Sequence, residues 1–116
     1  DYVAKKTIPL DRDATADAVF GTTRIVLENK GYKWVRTSES RAEAHEGGRE
    51  VKASPGSTKL LLSLEIKDNE LVLKNRTNGT GIIIIGMGTT ATLRIMKEFK
   101  QAGKVLQEAL KNAGLS

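Results

Sequence analysis

The chain has 116 residues, of which 39% are hydrophobic, and 19 Lys and Arg against 14 Asp and Glu give it a net charge of +5. This length predicts one domain, residues 1–116, because a chain of this size can bury a core without disulfides or a structural metal. No cysteine is present, which excludes thiol catalysis and Cys-ligated zinc. A single histidine, His45, excludes a histidine cluster and a Ser-His-Asp triad. We therefore expect a basic protein that is not an enzyme and holds no metal and no cofactor.

A strand and a helix are predicted first along the chain. Residues 2–8 alternate as a strand, and Pro9 fits its end because proline cannot donate to a sheet ladder. Asp13 then predicts a helix N-cap and Gly31 a helix end, and Ile25 falls outside the apolar stripe between them. That stripe, at three- and four-residue spacing, consists of Ala16, Val19, Phe20, Thr23, Val26, Leu27 and Lys30.

A run of strands is predicted next. Residues 32–37 read as one strand and residues 41–53 as one or two more around Gly47-Gly48. Two turn signals, Asp68-Asn69 and Asn78-Gly79, then separate alternating segments at residues 60–67, 70–77 and 80–86. This spacing predicts a three-stranded meander.

The register of this meander follows if both turns have two residues, because the side chains of a strand alternate between the two faces. The predicted core face carries three rows: Leu62, Asn75 and Ile82; Leu64, Leu73 and Ile84; Ile66, Leu71 and Gly86. The opposite face carries Leu61, Arg76 and Gly81; Ser63, Lys74 and Ile83; Glu65, Val72 and Ile85.

A closing helix over residues 89–113 is long enough to cover the core face. Its predicted apolar stripe consists of Thr92, Ile95, Met96, Phe99, Ala102, Gly103, Leu106, Ala109, Leu110 and Ala113. The order β-α-β-β-β-β-β-α predicts an α+β two-layer sandwich, an antiparallel sheet with two helices on one face, of which a helix-grip arrangement is one version.

The face of the sheet opposite the helices is the first candidate binding surface. Leu61, Val72, Ile83 and Ile85 are the apolar side chains that the predicted register sends there. An exposed apolar sheet face suits a protein partner or a second copy of the chain. The alternative is that the stems of neighbouring charged side chains, or a terminal segment, cover these residues.

A glycine-rich turn before the closing helix is the second candidate. Gly86, Gly88, Thr89 and Thr90 stand where a strand feeds a helix N-terminus, at which free N–H groups and the helix dipole favour an anion. The alternative is that Thr89 or Thr90 only caps the helix. The spacing matches neither the dinucleotide fingerprint nor a P-loop.

A lysine stripe on the closing helix is the third candidate. Lys97, Lys100, Lys104 and Lys111 fall within an arc of about 60° on a helical projection, away from the apolar stripe. Such a basic face suits nucleic acid or peripheral association with an anionic membrane. Solvation of an outer helix face is the alternative, and Glu98 and Glu108 interrupt the charge.

The first third of the chain carries a resemblance to a known group of proteins. Thr7-Ile8-Pro9-Leu10, Asp13, Ala18-Val19-Phe20, Leu27 and Lys30-Gly31-Tyr32 form the pattern. It resembles the opening of small bacterial envelope domains, many of them lipoproteins of unassigned function, and similar modules occur in outer-membrane assembly lipoproteins. The resemblance implies a periplasmic or envelope location and binding rather than catalysis.

The expected location has one alternative, the cytoplasm. Because the chain begins at Asp1 rather than Met, we expect that a preceding segment was removed. The longest apolar run, residues 81–87, is far shorter than the roughly 20 residues that span a bilayer, so no transmembrane segment is predicted.

Overall fold

The computed structural model describes residues 5–47, 60–76 and 88–116, which form a five-stranded antiparallel sheet and two helices. The strands are β1 (Lys5–Pro9), β2 (Tyr32–Arg36), β3 (Arg41–Glu46), β4 (Leu61–Lys67) and β5 (Glu70–Asn75), and the helices are α1 (Ala16–Asn29) and α2 (Gly88–Asn112). The strand order is β1-β5-β4-β3-β2. Both helices pack on one face of this sheet, which confirms the predicted α+β two-layer class.

The hairpin between β4 and β5 has the predicted register. Asp68 and Asn69 have φ angles of 53° and 62°, as a two-residue hairpin turn of the left-handed type requires. Lys67 consequently pairs with Glu70. The core-face pairs are also as predicted: Leu62 with Asn75, Leu64 with Leu73 and Ile66 with Leu71.

The second neighbour of β5 differs from the prediction. β1 pairs with β5, so that Lys6 lies opposite Leu73 and Ile8 opposite Leu71. A strand has two edges, and β4 holds the other edge of β5. The predicted rows that join Leu73 to Ile84 and Leu71 to Gly86 on this edge are therefore wrong, because β1 occupies it. Residues 80–86 themselves lie outside the described residues.

Helix α1 begins at a different cap from the one predicted. Thr15, not Asp13, is the N-cap, and its hydroxyl oxygen accepts a hydrogen bond from the Ala18 N–H at 3.1 Å. The Asp13 N–H instead donates to Asp11 Oδ2 in the turn before the helix. Gly31 follows the helix with φ at 94°, a left-handed conformation that favours glycine, so the predicted stop is confirmed.

The core lies between the helices and the sheet. The buried apolar side chains are Ile8, Val19, Phe20, Leu27, Tyr32, Ala42, Ala44, Leu60, Leu62, Leu64, Leu71, Leu73, Ile95, Phe99, Ala102, Leu106 and Leu110. Of the predicted stripes, Ala16, Val26, Met96 and Ala109 are half-buried, and Lys30 and Ala113 are exposed, because both stand at the ends of their helices. Ile25 is 62% exposed, as its place outside the stripe predicts. The side chain of Thr92 lies outside the described residues.

Helix α2 approaches the sheet closely at Gly103. A Cβ atom there would lie 2.6 Å from Lys6 Cδ and 3.8 Å from Leu73 Cδ1. Glycine therefore lets the Lys6 stem pass between α2 and the sheet.

Two further predicted strands are present in the described residues, at least in part. The strands predicted over residues 32–37 and 41–53 correspond to β2 and β3, of which β3 ends at Glu46. Residues 1–4 and 48–59, which include Tyr2 and the second half of the predicted 41–53 segment, lie outside the described residues.

Candidate interaction surfaces

The sheet face opposite the helices is charged over the described strands. Alternation places Lys5, Lys33, Arg41, Lys67 and Lys74 there, together with three carboxylates, Glu43, Glu65 and Glu70. Its apolar residues are Val35, Leu61 and Val72. We call this surface the open face, because within the described ranges no helix packs against it.

Leu61 and Val72 both lie on the open face, as predicted, and both are half-buried. They do not form one apolar patch, because the pair Ser63 and Lys74 stands between their rows. Val72 has Glu65 on one side and Thr7 on the other. The described part of the open face therefore carries separate apolar side chains within a charged surface.

Ile83 and Ile85, the other two predicted contact residues, lie outside the described residues. The predicted register places Ile83 beside Lys74 and Ile85 beside Val72. In the structure, Lys5 and Thr7 of β1 occupy those positions. Those two predicted rows are therefore wrong, since β1 takes the edge of β5 that they need. The binding role of Ile83 and Ile85 stays a prediction.

A depression of about 130 Å³ lies at the centre of the open face. Its lining consists of Arg41, Ser63, Glu65, Val72, Lys74 and Arg76. Arg41 Nη2 lies 3.2 Å from Glu65 Oε2, which fixes one guanidinium beside the depression. Three basic side chains and one carboxylate therefore surround Val72 in the depression.

The predicted anion site is described only in part. Gly86 lies outside the described residues, while Gly88 begins α2 and Thr89 and Thr90 belong to its first turn. The two threonines are therefore helical residues rather than the N-cap that the alternative interpretation required. Anion binding at this turn stays a prediction.

The four predicted lysines, Lys97, Lys100, Lys104 and Lys111, are all exposed on α2. An open groove with a volume of about 510 Å³ runs along this side of the helix. Its lining residues are Lys97, Lys100, Gln101, Lys104, Val105 and Glu108. The structure therefore brings three of the four lysines to one surface, with Glu108 beside them.

A polar network joins α2 to the sheet. The Tyr32 hydroxyl donates to Glu98 Oε2 at 2.7 Å, and Lys30 Nζ lies 3.8 Å from the same oxygen. Beside it, Arg94 Nη2 donates to Glu46 Oε1 at 2.8 Å. Burial, and then the hydrogen bond to Glu98, raise the pKa of Tyr32 above its ordinary value. The network holds the helix and keeps this phenol neutral.

A third concave site, a cavity open to solvent that the sequence did not predict, lies between α1 and β2. It measures about 300 Å³ and is lined by Asp17, Phe20, Gly21, Arg24, Trp34 and Arg36. The alternation in residues 32–36 places Tyr32, Trp34 and Arg36 on one face, which is the signal available in the sequence. What the sequence lacks is any sign that β2 stands last in the order of the described strands.

Two further features bear on metals and membranes. Among the described residues, no three His, Cys, Asp or Glu side chains come close enough together to hold a metal ion. His45 lies on the open face of β3, whereas Glu46 points to the helices and binds Arg94. No helix in the described ranges has the length and apolar composition needed to cross a bilayer.

The chain matches no protein-family model, and no curated protein resembles it at a significant level.

Proposed function

We propose that this chain is a non-enzymatic interaction module that binds a protein partner, or a second copy of itself, through the open face. The proposed contact residues are Leu61 and Val72, with Ile83 and Ile85 as further candidates. The observation that supports the proposal is the asymmetry of the sheet. Both helices cover one side, and the described strands present the other side to solvent around a depression at Val72.

The charges of the open face define the expected contact. Five Lys or Arg side chains against three Glu on the strands favour a partner surface with excess carboxylates. A carboxylate of the partner can lie in the depression beside Arg41 and Lys74, where Val72 supplies apolar contact area. Charged rims of this kind set specificity and association rate more than affinity.

The resemblance to bacterial envelope domains supports an exported location for this module, in the periplasm or envelope. It also favours binding over catalysis. We expect recovery of the chain from the periplasmic fraction of its native cells.

Site-specific photocrosslinking tests the proposed surface. A photoreactive residue at Val72 should give one discrete adduct in native cells. An adduct of twice the chain mass indicates a second copy, and any other discrete mass indicates a different protein partner. The matched control carries the same residue at Ile25, which is 62% exposed on the outer side of α1.

The two positions lie on different surfaces: Val72 is half-buried on the open face, and Ile25 is exposed on the outer side of α1. Equal crosslinking from both, or none from Val72, contradicts the use of the open face. Val72→Asp should abolish an adduct formed from a probe at Ser63, the residue diagonal to it, without loss of thermal stability.

The exposed lysines of α2 favour a second candidate function, binding of nucleic acid or another polyanion. Contact between four lysines and phosphates predicts that log K falls with log salt at a slope of about −3.6 for duplex DNA. Lys97→Glu should weaken this binding, whereas Val72→Asp should not. A salt-independent affinity, or none for a duplex oligonucleotide, removes this candidate.

A further inference from the structure

Among the described strands, β2 forms the edge of the sheet next to the cavity lined by Trp34. It pairs with β3 on one side, and the strand order ends there among the described residues. We propose that this edge binds an extended acidic peptide, which pairs with β2 as an added strand and places one aromatic side chain in the cavity.

The backbone pattern shows which groups β2 offers. The Gly47 N–H donates to the Gly31 carbonyl at 2.9 Å, and the Thr37 N–H donates to the Arg41 carbonyl at 2.9 Å. Hydrogen-bonded pairs alternate along an antiparallel ladder, so Lys33 and Val35 also bond to β3. The N–H and C=O groups of Tyr32, Trp34 and Arg36 therefore point away from β3, toward the edge.

The same alternation places the cavity where an added strand can reach it. Trp34 and Arg36 direct their side chains to the helix face, where they line the cavity together with Phe20 and Gly21 of α1. A peptide strand paired with β2 presents every second side chain to that face. At about 300 Å³ the cavity has room for one large side chain.

The cavity walls favour an aromatic occupant. The rings of Phe20 and Trp34 meet edge to face, with centroids 5.8 Å apart, and Trp34 is half-exposed. Gly21 leaves the helix backbone open on this side, since a Cβ there would meet no atom within 4 Å. An aromatic ring can enter between the two elements and contact Trp34.

The charges beside the cavity favour carboxylates next to that aromatic residue. The Arg36 guanidinium donates to Asp17 Oδ1 at 2.7 Å and to the carbonyl oxygens of Ser38 and Glu39 at 3.1 and 2.8 Å, and it lies 5.0 Å from the Phe20 ring centroid. Arg24 lines the same cavity and bonds to Glu28 at 3.3 Å, with its side chain 59% exposed. The lining therefore carries two guanidiniums against the one carboxylate of Asp17, and Arg24 is the more exposed of the two. This excess of positive charge favours a peptide carboxylate beside Arg24.

The probe is the capped peptide Thr-Glu-Thr-Phe-Thr-Glu-Thr, in which Phe and both Glu share one face. Trp34 is the single tryptophan of the chain, so its fluorescence reports on the cavity directly. We expect a saturable change in Trp34 emission. Replacement of both peptide Glu residues by Lys should weaken binding by about tenfold or more.

Gly21→Leu is the decisive variant, because it fills the cavity at an exposed helical position where leucine is a better helix former than glycine. It should lower peptide affinity by about tenfold or more. Ile25→Leu, on the outer side of the same helix, should leave affinity unchanged, as should Val72→Asp on the open face.

Amide hydrogen exchange separates strand addition from simple cavity binding. The peptide should slow exchange at Tyr32, Trp34 and Arg36 and leave Lys33 and Val35 as they are in the free protein. The proposal is overturned if no saturable signal appears, if Gly21→Leu binds like the wild type, if the Lys peptide binds equally well, or if these three amides gain no protection. A loss of binding in Val72→Asp would place the peptide on the open face and overturn it as well.

Discussion

Tyr32 on β2 donates a hydrogen bond of 2.7 Å to Glu98 on α2, two residues that stand 66 positions apart in the chain. The bond joins the edge strand to the long helix, beside the pair of Arg94 with Glu46 of β3. These contacts tie α2 to two strands, in addition to the apolar residues that the helix buries in the core.

Tyr32→Phe should destabilise the protein by about 1–2 kcal/mol, because it removes a hydrogen bond to a charged acceptor in a buried place. Urea unfolding measures the change. Glu98→Gln is the matched control, since an amide oxygen can still accept from the phenol, and it should lose less stability. Equal stability of Tyr32→Phe and wild type would contradict a stabilising bond.

The raised pKa of Tyr32 predicts lower stability in alkali. Below a pH of about 10, the unfolded tyrosine and the folded one are both protonated, so the contribution to stability is complete. Above that pH the unfolded state releases the proton while the folded state keeps it, and stability falls as pH rises. In Tyr2→Phe protein, phenolate absorbance should appear only with unfolding. Ionisation near pH 10 in the folded protein, at about the ordinary value of tyrosine, would contradict this.

Leu106→Ala should cost about 2–5 kcal/mol, because Leu106 is 0% exposed within the core and its truncation leaves a cavity. Leu93→Ala, in the same helix, should change stability by less than about 0.5 kcal/mol, since Leu93 is 59% exposed. Chemical denaturation of the two variants compares them directly. Equal effects would mean that α2 presents another face to the sheet.

Thr15→Ala should cost about 1 kcal/mol through loss of the N-cap bond to the Ala18 N–H. Asp13→Ala should cost less than about 0.5 kcal/mol, because only the Asp13 backbone N–H takes part in the preceding turn. Thermal unfolding of both variants checks the assignment. A larger loss of stability in Asp13→Ala than in Thr15→Ala would indicate that Asp13 is the N-cap.

Gly47→Ala should cost about 1–3 kcal/mol, because its Cβ would lie 2.8 Å from the Gly31 carbonyl oxygen, a backbone atom in a fixed turn. Gly21→Ala should instead be neutral or gain up to about 1 kcal/mol, since nothing lies within 4 Å of that Cβ. Differential scanning calorimetry distinguishes the two. A stable Gly47→Ala protein would argue against the close approach of β3 to Gly31.

Local signals in the sequence identified most elements correctly. The apolar stripe of α1, the stop at Gly31 and the turn at Asp68-Asn69 each depend on neighbouring residues only. The same holds for Leu61 and Val72, whose place on the open face follows from the period of a strand and a two-residue turn.

Pairing between distant segments was beyond those signals. β5 pairs with β1, and not with residues 80–86 on that edge, so Ile8 lies opposite Leu71. These two strands are far apart in the chain and no turn connects them, so no local signal predicts their pairing. The N-cap was also misassigned, because Asp13 and Thr15 both have suitable side chains and the preceding turn decides between them.

The sequence by itself determined the α+β class, most members of the two helical stripes and the β4–β5 register, because periodicity and turn chemistry act over a few residues. Only the tertiary structure decided that β2 lies at the end of the described sheet, that Trp34 lines a cavity with α1, and that Tyr32 reaches Glu98. These relationships arise when remote segments bury their apolar faces against one another. The free energy of that burial depends on the whole assembled core rather than on any local pattern.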